Sequence, residues 1–301
     1  DWELRVVDNA STDGSAEWLA AQAADDPRMH VDALDRNIGY AVAQNRTIRA
    51  SRAEALLLLN QDVVLGTGFL AAAWEALDGD AGIGSVQGWI GRMGPEGQRS
   101  DIVDTTGLVM HRDRRVVSRD QLREAGPGQR PAGEAWGVDG PAPLYRHCAL
   151  LDARMPRRGG GWEVLDEDFF SEKEDADLAW RLRRLGWRCR YEPAATAWHA
   201  RTGGDTARGD RTGEISANMA NPPDARIRAW RNQRLMQLKN DEPAMVLLDL
   251  PWIARRELAQ LAFMMAADRR RLRAIPELLR LAPMATRKRR ALARARRRST
   301  T

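Results

Sequence analysis

The order of elements along the chain predicts an α/β protein with a mostly parallel central sheet. Three observations carry this. Strand-like and helix-like stretches alternate from the start through Leu77, the pattern of βαβ units. Ala55–Leu59 is a continuous apolar run, as in a strand buried on both faces of a sheet. Asp8, Asn37 and Asp62 each fall at or just past the carboxyl end of a strand or its following turn, where such sheets bind ligands.

Taken in order, residues 3–7 read as a short strand ending in Asp8-Asn9-Ala10-Ser11-Thr12-Asp13-Gly14-Ser15. These small polar residues suit a tight turn that caps a following helix. That helix runs through Trp18 to about Asp25, and a second strand follows at His30–Leu34. Asp35-Arg36-Asn37-Ile38-Gly39-Tyr40 then opens a small-residue helix through Ala43, Asn45 and Ile48. The strand at Ala55–Leu59 ends in Asn60-Gln61-Asp62, and Phe69–Leu77 is the next helix. Residues 79–120 are glycine-rich with short strands, 121–133 read as an exposed loop, and 136–145 as another strand region. Residues 200–223 carry little hydrophobic pattern, and loops of that length are lids or disordered segments. A helix over 225–240 and amphipathic helices over 244–283 complete the chain before its basic end.

Phe169–His199 is the most informative stretch. Glu174, Asp175 and Asp177 sit where a helix should begin, with Leu178, Leu182 and Leu185 as its apolar stripe. Acidic groups are favoured there by the unpaired first-turn N–H groups and the positive end of the helix dipole. Arg181, Arg183 and Arg184 take the other face, and Gly186 stops the helix.

At 301 residues, 43% hydrophobic and 30% charged, the chain has the composition of a globular protein with a substantial core. Cys148 and Cys189 lie far apart and fit neither a disulfide framework nor a zinc ribbon. No apolar run is long enough to span a membrane. The net charge of +5 conceals an asymmetry: Ala285–Thr301 holds eight Lys or Arg and no acid, and the remainder is mildly acidic at −3.

VVDNASTDGS, NIGYAVAQNRTI, LLLLNQDV, DEDFFSEKEDADLAWRLRRLGW and a later histidine together resemble, in order and spacing, family-2 glycosyltransferases of the GT-A fold, and most closely their rhamnosyltransferase-like branch. The resemblance covers roughly residues 2–240, so it implies a catalytic domain over 1–240, an amphipathic helical segment over 241–284 and a basic, disordered tail over 285–301. Family members begin with a strand and helix of the VSVVIVTYN type. Against that pattern, the chain reads as lacking this first strand and helix, an N-terminally truncated relative.

The resemblance assigns roles. Asp8 would accept from the nucleotide base, with turn capping as its alternative. Arg36, Asn37, Gly39 and Asn45 look like the second nucleotide-side motif, with a turn and helix start as theirs. Asn60-Gln61-Asp62 stands in the place of the DxD motif, with Asn60 replacing the first acid. That leaves Asp62 as the main carboxylate for Mg²⁺ or Mn²⁺, a hard cation that prefers oxygen ligands. His199 would sit on the metal and diphosphate side. Asp175 matches the base that deprotonates the acceptor, with Glu174 second, and the helix N-terminus should favour the ionised form. Asp177, spaced i,i+4 from Arg181, reads as a helix-surface ion pair. Arg201 and Arg208 could reach the diphosphate, and Asp104 and Trp180 are placed on the acceptor side.

The expected donor is a nucleotide sugar, dTDP-rhamnose or a UDP-sugar, and the expected acceptor a glycan or polyprenyl-linked glycan of the cell surface. The basic tail lacks interleaved aromatics, which disfavours nucleic acid. Following amphipathic helices, it suits an anionic membrane surface, and so a peripheral place at the cytoplasmic face of the plasma membrane. The competing reading is an inactive relative that serves as a membrane-associated binding protein.

Overall fold

The computed structural model describes residues 1–201, 219 and 221–299. Arg208 and most of the segment read as a lid lie outside them. The strands are β1 Leu4–Asp8, β2 Met29–Ala33, β3 Ala55–Leu57, β4 Val63–Leu65, β5 Ile83–Met93, β6 Arg99–Thr105 and β7 Leu108–Met110. They continue as β8 Val116–Ser118, β9 Gly133–Ala135, β10 Leu144–Arg146, β11 Met155–Pro156, β12 Trp162–Glu163 and β13 Arg188–His199. The helices are α1 Ser15–Asp25, α2 Tyr40–Ala50, α3 Phe69–Asp78, α4 His147–Asp152, α5 Glu174–Arg184, α6 Pro223–Asn240, α7 Pro243–Ala266 and α8 Ala274–Ser299.

A seven-stranded sheet runs β3-β10-β5-β13-β4, with β6 added on β5 and β9 on β13. The α/β class stands, but the sheet is mixed rather than mostly parallel. Within it only β5 and β13 pair in parallel, and the second parallel pair, β1 with β2, forms a separate small sheet. The remaining pairings of this sheet, those made by β10, β4, β6 and β9, are antiparallel.

Both faces of the large sheet are buried, which explains the unbroken apolar run. Leu56 and Leu58 join Ala41 and Ile48 of α2 and Leu178 and Leu182 of α5 in one cluster. Ala55, Leu57 and Leu59 turn the other way, towards Phe69, Ala73 and Leu77 of α3. The alternation follows from the two-residue period of a strand.

The C-terminal third departs from expectation. Residues 285–299 are the second half of one helix, α8, and not a disordered tail. Ala285, Lys288 and Leu292 are buried, and Ala285 shares a cluster with Phe169 and Ala176. Helix α6 ends at Asn240, but the residues that follow are fastened to the body. Arg114 holds Asp241 bidentately at 2.7 and 2.9 Å and reaches Asp249 of α7 at 2.7 Å. Among the described residues, no helix is long and apolar enough to cross a membrane.

Candidate functional site

The first two polar turns are tied to each other. Asn9 Nδ2 donates to Asn37 Oδ1 at 3.1 Å, and Asn9 Oδ1 accepts from the Ile38 N–H at 2.8 Å. Asn37 Oδ1 also accepts from the Gly39 N–H at 2.9 Å. Asp8 is buried at the end of β1, and one of its oxygens accepts from the Ser11 N–H at 3.2 Å, so it does cap its turn. Arg36 is exposed beside these residues. Gly39 has φ +84, and a Cβ there would stand 2.6 Å from the Phe170 ring. Its role is to let the start of α2 meet the loop before α5, where the Ala41 N–H donates to the Phe170 carbonyl at 3.2 Å.

Asn45 is not on the nucleotide side. It is fully buried, accepts from the Val164 and Leu165 N–H groups at 3.0 and 2.9 Å, and donates to the Leu165 carbonyl at 2.7 Å and Glu167 at 3.2 Å. Those bonds use its hydrogen-bonding capacity to pin α2 onto residues 164–167.

Asp62 and His199 meet as predicted, where the end of β13 lies beside the start of β4. His199 Nε2 is 3.2 Å from Asp62 Oδ1, and His199 Nδ1 is 2.8 Å from Asp104 Oδ2. Asp104 is therefore a partner of this histidine and not an acceptor-side residue. Its other oxygen holds Arg201 at 2.7 Å, which ties Arg201 to the same cluster. Burial pulls the His199 proton off, but the hydrogen bonds that its ring N–H groups donate to both carboxylates outweigh it and hold the imidazole up at about 9. The same contact holds Asp62 below the usual carboxylate value, against partial burial.

A proton-loving His199 has a measurable consequence. Its folded value lies above the ordinary 6.5, so its contribution to stability is complete below about pH 6.5 and is lost as pH rises through about 9. Metal-free protein should show a falling Tm across that interval, and His199→Phe should flatten that limb. An unchanged slope in the variant contradicts the pairing.

Could this end hold a divalent cation? Among the described residues, no three acidic, His or Cys side chains form a cage. Asp62 and His199 instead offer one carboxylate and one imidazole, with Asp62 partly open to solvent. That donor set fits an ion completed by diphosphate oxygens and water. Asp62 would be the first ligand of such an ion, because His199 must give up its Nε2 proton to become one.

The other end of the site lies at α5. The loop before it places three non-glycine residues at positive φ: Phe170 at 67°, Glu172 at 75° and Lys173 at 72°. Such strain persists only where surroundings enforce it. Here Asn232 of α6 donates to the Phe169, Ser171 and Glu172 carbonyls, at 3.1, 2.8 and 2.8 Å.

Beyond this loop, Glu174 and Asp175 form an acidic pair with Asp139. Asp139 lies in a loop that reaches α5 because Gly137 has no side chain; a Cβ there would be 2.4 Å from Ala179 Cβ. Its N–H donates to Gln87 at 2.7 Å, and the next residue, Gly140, borders Asp175 Oδ2. In the same loop the Pro141 carbonyl accepts from the Asn60 N–H at 2.9 Å, so one loop joins the Asp62 end to the Asp175 end.

Burial first, and Asp139 second, push Asp175 up to about 7; burial and Asp175 push Glu174 up to about 8. This reverses the expectation of a firmly ionised base. The helix N-terminus does contribute, through the Ala176 N–H to Asp175 Oδ1 at 2.6 Å, but desolvation and like charge outweigh it.

Asp177 pairs with Arg181 at 3.0 Å as the spacing predicts, yet both are fully buried rather than on the surface. Asp177 also meets Lys239 at 2.9 Å and Asn240 at 2.7 Å. Trp180 packs edge-on against Trp136, centroids 6.5 Å apart, in the apolar cluster beneath α5. It is a packing residue and not part of an acceptor surface.

Sequence reasoning missed Asn9, Asp139, Asn232 and Lys239. Asp139 had a signal, a lone acid between glycines in Gly137-Val138-Asp139-Gly140. The other three act through contacts far along the chain.

Residues 1–123 match the model of glycosyl transferase family 2. The chain is similar to the N-acetylglucosaminyl-diphospho-decaprenol L-rhamnosyltransferase of Mycobacterium tuberculosis, at 28% identity over 226 residues, covering 67% of this chain and 68% of that one. Across curated relatives the share of their length that it spans goes as low as 24%. Among solved structures it resembles GalNAc-T7 with UDP, GalNAc and Mn²⁺, with TM-score 0.53 and 10% identity over 78% of this chain and 45% of that one. It also resembles Staphylococcus aureus TarS residues 1–349 in complex with UDP-GlcNAc, with TM-score 0.51 and 15% identity over 98% of this chain and 82% of that one. At such identities the likeness establishes the fold alone, that of the GT-A glycosyltransferases.

Proposed function

We propose that the chain is a family-2 glycosyltransferase that moves a sugar, with inversion, from a nucleotide-sugar donor to a lipid-linked glycan in cell-surface polysaccharide synthesis. The observation that carries this is the pairing of two unlike ends across the 139–141 loop. One end has a carboxylate and a histidine suited to a cation and diphosphate. The other has a carboxylate raised into the range of a working base.

In the reaction, the acceptor oxygen attacks the anomeric carbon as the bond from that carbon to the diphosphate oxygen breaks. The acceptor proton passes to the Asp175 carboxylate, and the nucleoside diphosphate leaves. A base with a value near the working pH is efficient in both accepting and releasing that proton. Asp139 keeps Asp175 basic by like charge, and Gln87 fixes the Asp139 backbone. Asp8 and Asn37 border the nucleoside end, with Arg36 beside them. Asp62 and His199 would hold Mg²⁺ or Mn²⁺, which when bound supplies charge neutralisation of the leaving diphosphate.

Either dTDP-rhamnose or a UDP-sugar suits this reading. The rhamnosyltransferase relative, named for a diphospho-decaprenol substrate, supports a rhamnosyl donor and a polyprenyl diphosphate acceptor. On this reading the enzyme works at the cytoplasmic face of the plasma membrane.

The test is release of nucleoside diphosphate from each donor, with N-acetylglucosaminyl-diphospho-polyprenol in detergent and Mn²⁺ present. Release should require acceptor and cation and should vanish in Asp62→Ala. Release that is equal with EDTA, or is retained in Asp62→Ala, contradicts the proposal.

A further inference from the structure

We propose that the outer face of α7 is a docking surface for a bilayer rich in anionic phospholipid, with the helix lying in the interface. Leu247, Leu250, Ala254, Leu258, Leu261 and Met265 recur at helical spacing and are exposed. The large ones are 72, 49, 67, 50 and 51% exposed in that order. At 3.6 residues per turn they fall within an arc of about 80° and form a stripe about 27 Å long. Scattered single leucines need no explanation, but an aligned row of this length marks an interaction surface.

The inward side of the helix, from Asp249 round to Glu257 at the edge of the stripe, is already occupied. Asp249 is buried against Arg112 and Arg114, Met264 is fully buried, and Glu257 pairs with Arg234 of α6. The stripe therefore faces outward because the other side is fastened, and no rotation can hide it.

Charge selects the occupant. Arg255 is exposed on the helix itself, and exposed Arg269 and Arg270 follow its end in a short 3-10 turn that packs on it. From Arg269 onward there are thirteen Lys or Arg and a single acid, Glu277; Arg271 and Lys288 are buried in ion pairs, but Arg273, Arg280 and Arg290 are exposed. Arg287 and Arg294, two turns apart on α8, are likewise exposed. A second copy docked through this face would bring two arginine-rich runs together. An anionic lipid surface takes the apolar stripe and answers the charge. With no described helix able to cross a bilayer, the helix lies on it. This extends the reading of a lipid-linked acceptor, but its test needs neither donor nor acceptor, so either can fail alone.

The full chain should float with phosphatidylcholine vesicles containing about a third phosphatidylglycerol, and bind more weakly to phosphatidylcholine alone or in high salt. Replacing three exposed leucines, Leu247→Ser, Leu258→Ser and Leu261→Ser together, should lower the partition coefficient about 100-fold. The melting temperature should stay unchanged. Leu258→Glu alone should give a smaller loss in the same direction, which keeps the test open if the triple variant misfolds. Wild-type-like flotation by a folded triple variant, or by folded Leu258→Glu, overturns the proposal. So does a wild-type dimer in sedimentation that the variant abolishes while neither protein binds vesicles.

Discussion

Asp175→Asn should lower kcat by about 10²–10⁴-fold while leaving nucleotide binding within a factor of about two, because a positioned general base contributes that much and touches only the acceptor proton. The substitution keeps the side chain's shape and can keep the hydrogen bond from the Ala176 N–H. It removes only the site that takes the proton. In the wild type, kcat should rise with pH through about 7, because the carboxylate must be ionised to act and burial with Asp139 holds it up. Glu174→Gln separates the two acids. If Asp175 is the base, Glu174→Gln retains most activity and leaves the pH limb near 7, since Glu174, held up at about 8, is largely uncharged where Asp175 titrates. If Glu174→Gln is the inactive variant and Asp175→Asn is not, the role belongs to Glu174.

Lys288→Ala should destabilise the protein by about 3–5 kcal/mol, the cost of leaving buried carboxylates without their counter-charge. Lys288 is 1% exposed, and its ammonium meets Glu163 at 2.6 Å, Asp166 at 2.5 Å and Asp168 at 2.8 Å. Lys239 reaches the same Asp166 from α6. Burial alone would raise Asp166, yet the two lysines hold it well below the usual carboxylate value. Glu163 is the less satisfied partner and is pushed up to about 7, first by burial and then by Asp166. Urea denaturation measures the effect. Arg287→Ala, one residue away and exposed, should change stability by no more than about 0.5 kcal/mol. Equal and small effects at both positions would mean that α8 is not built into the body. Activity should fall along with stability in Lys288→Ala, because Asp166 and Asp168 precede the strained turn that delivers Asp175.

The positions of Asp8, Asn37, Asp62 and His199 at strand ends and turns were legible because their signals are local. Strand ends with small polar turns, an apolar run buried on both faces and a histidine closing a strand all declare themselves within a few residues. Asp62 and His199 meet as the motifs imply. What was not legible depends on long-range contact. Asn45 looked like a ligand-facing amide because nothing nearby shows that residues 164–167 consume its hydrogen bonds. Asp104 was placed at the wrong end because its partner, His199, lies far along the chain. The parallel sheet was overestimated because the antiparallel returns of β10 and β4 are three-residue strands with no periodic pattern to read. The tail misled for a different reason. Its charge density resembles a solvated segment, and one lysine among many cations is buried against three acids that sequence spacing cannot connect.

The central claim is a division of labour: Asp62 serves the donor and its cation, and Asp175 serves the acceptor proton. Calorimetric titration of UDP and dTDP in the presence of Mn²⁺, into wild type, Asp62→Ala and Asp175→Asn, tests it most directly. The account predicts metal-dependent binding of at least one nucleotide to wild type and Asp175→Asn alike, and its loss in Asp62→Ala. Binding that survives in Asp62→Ala but is lost in Asp175→Asn would contradict it.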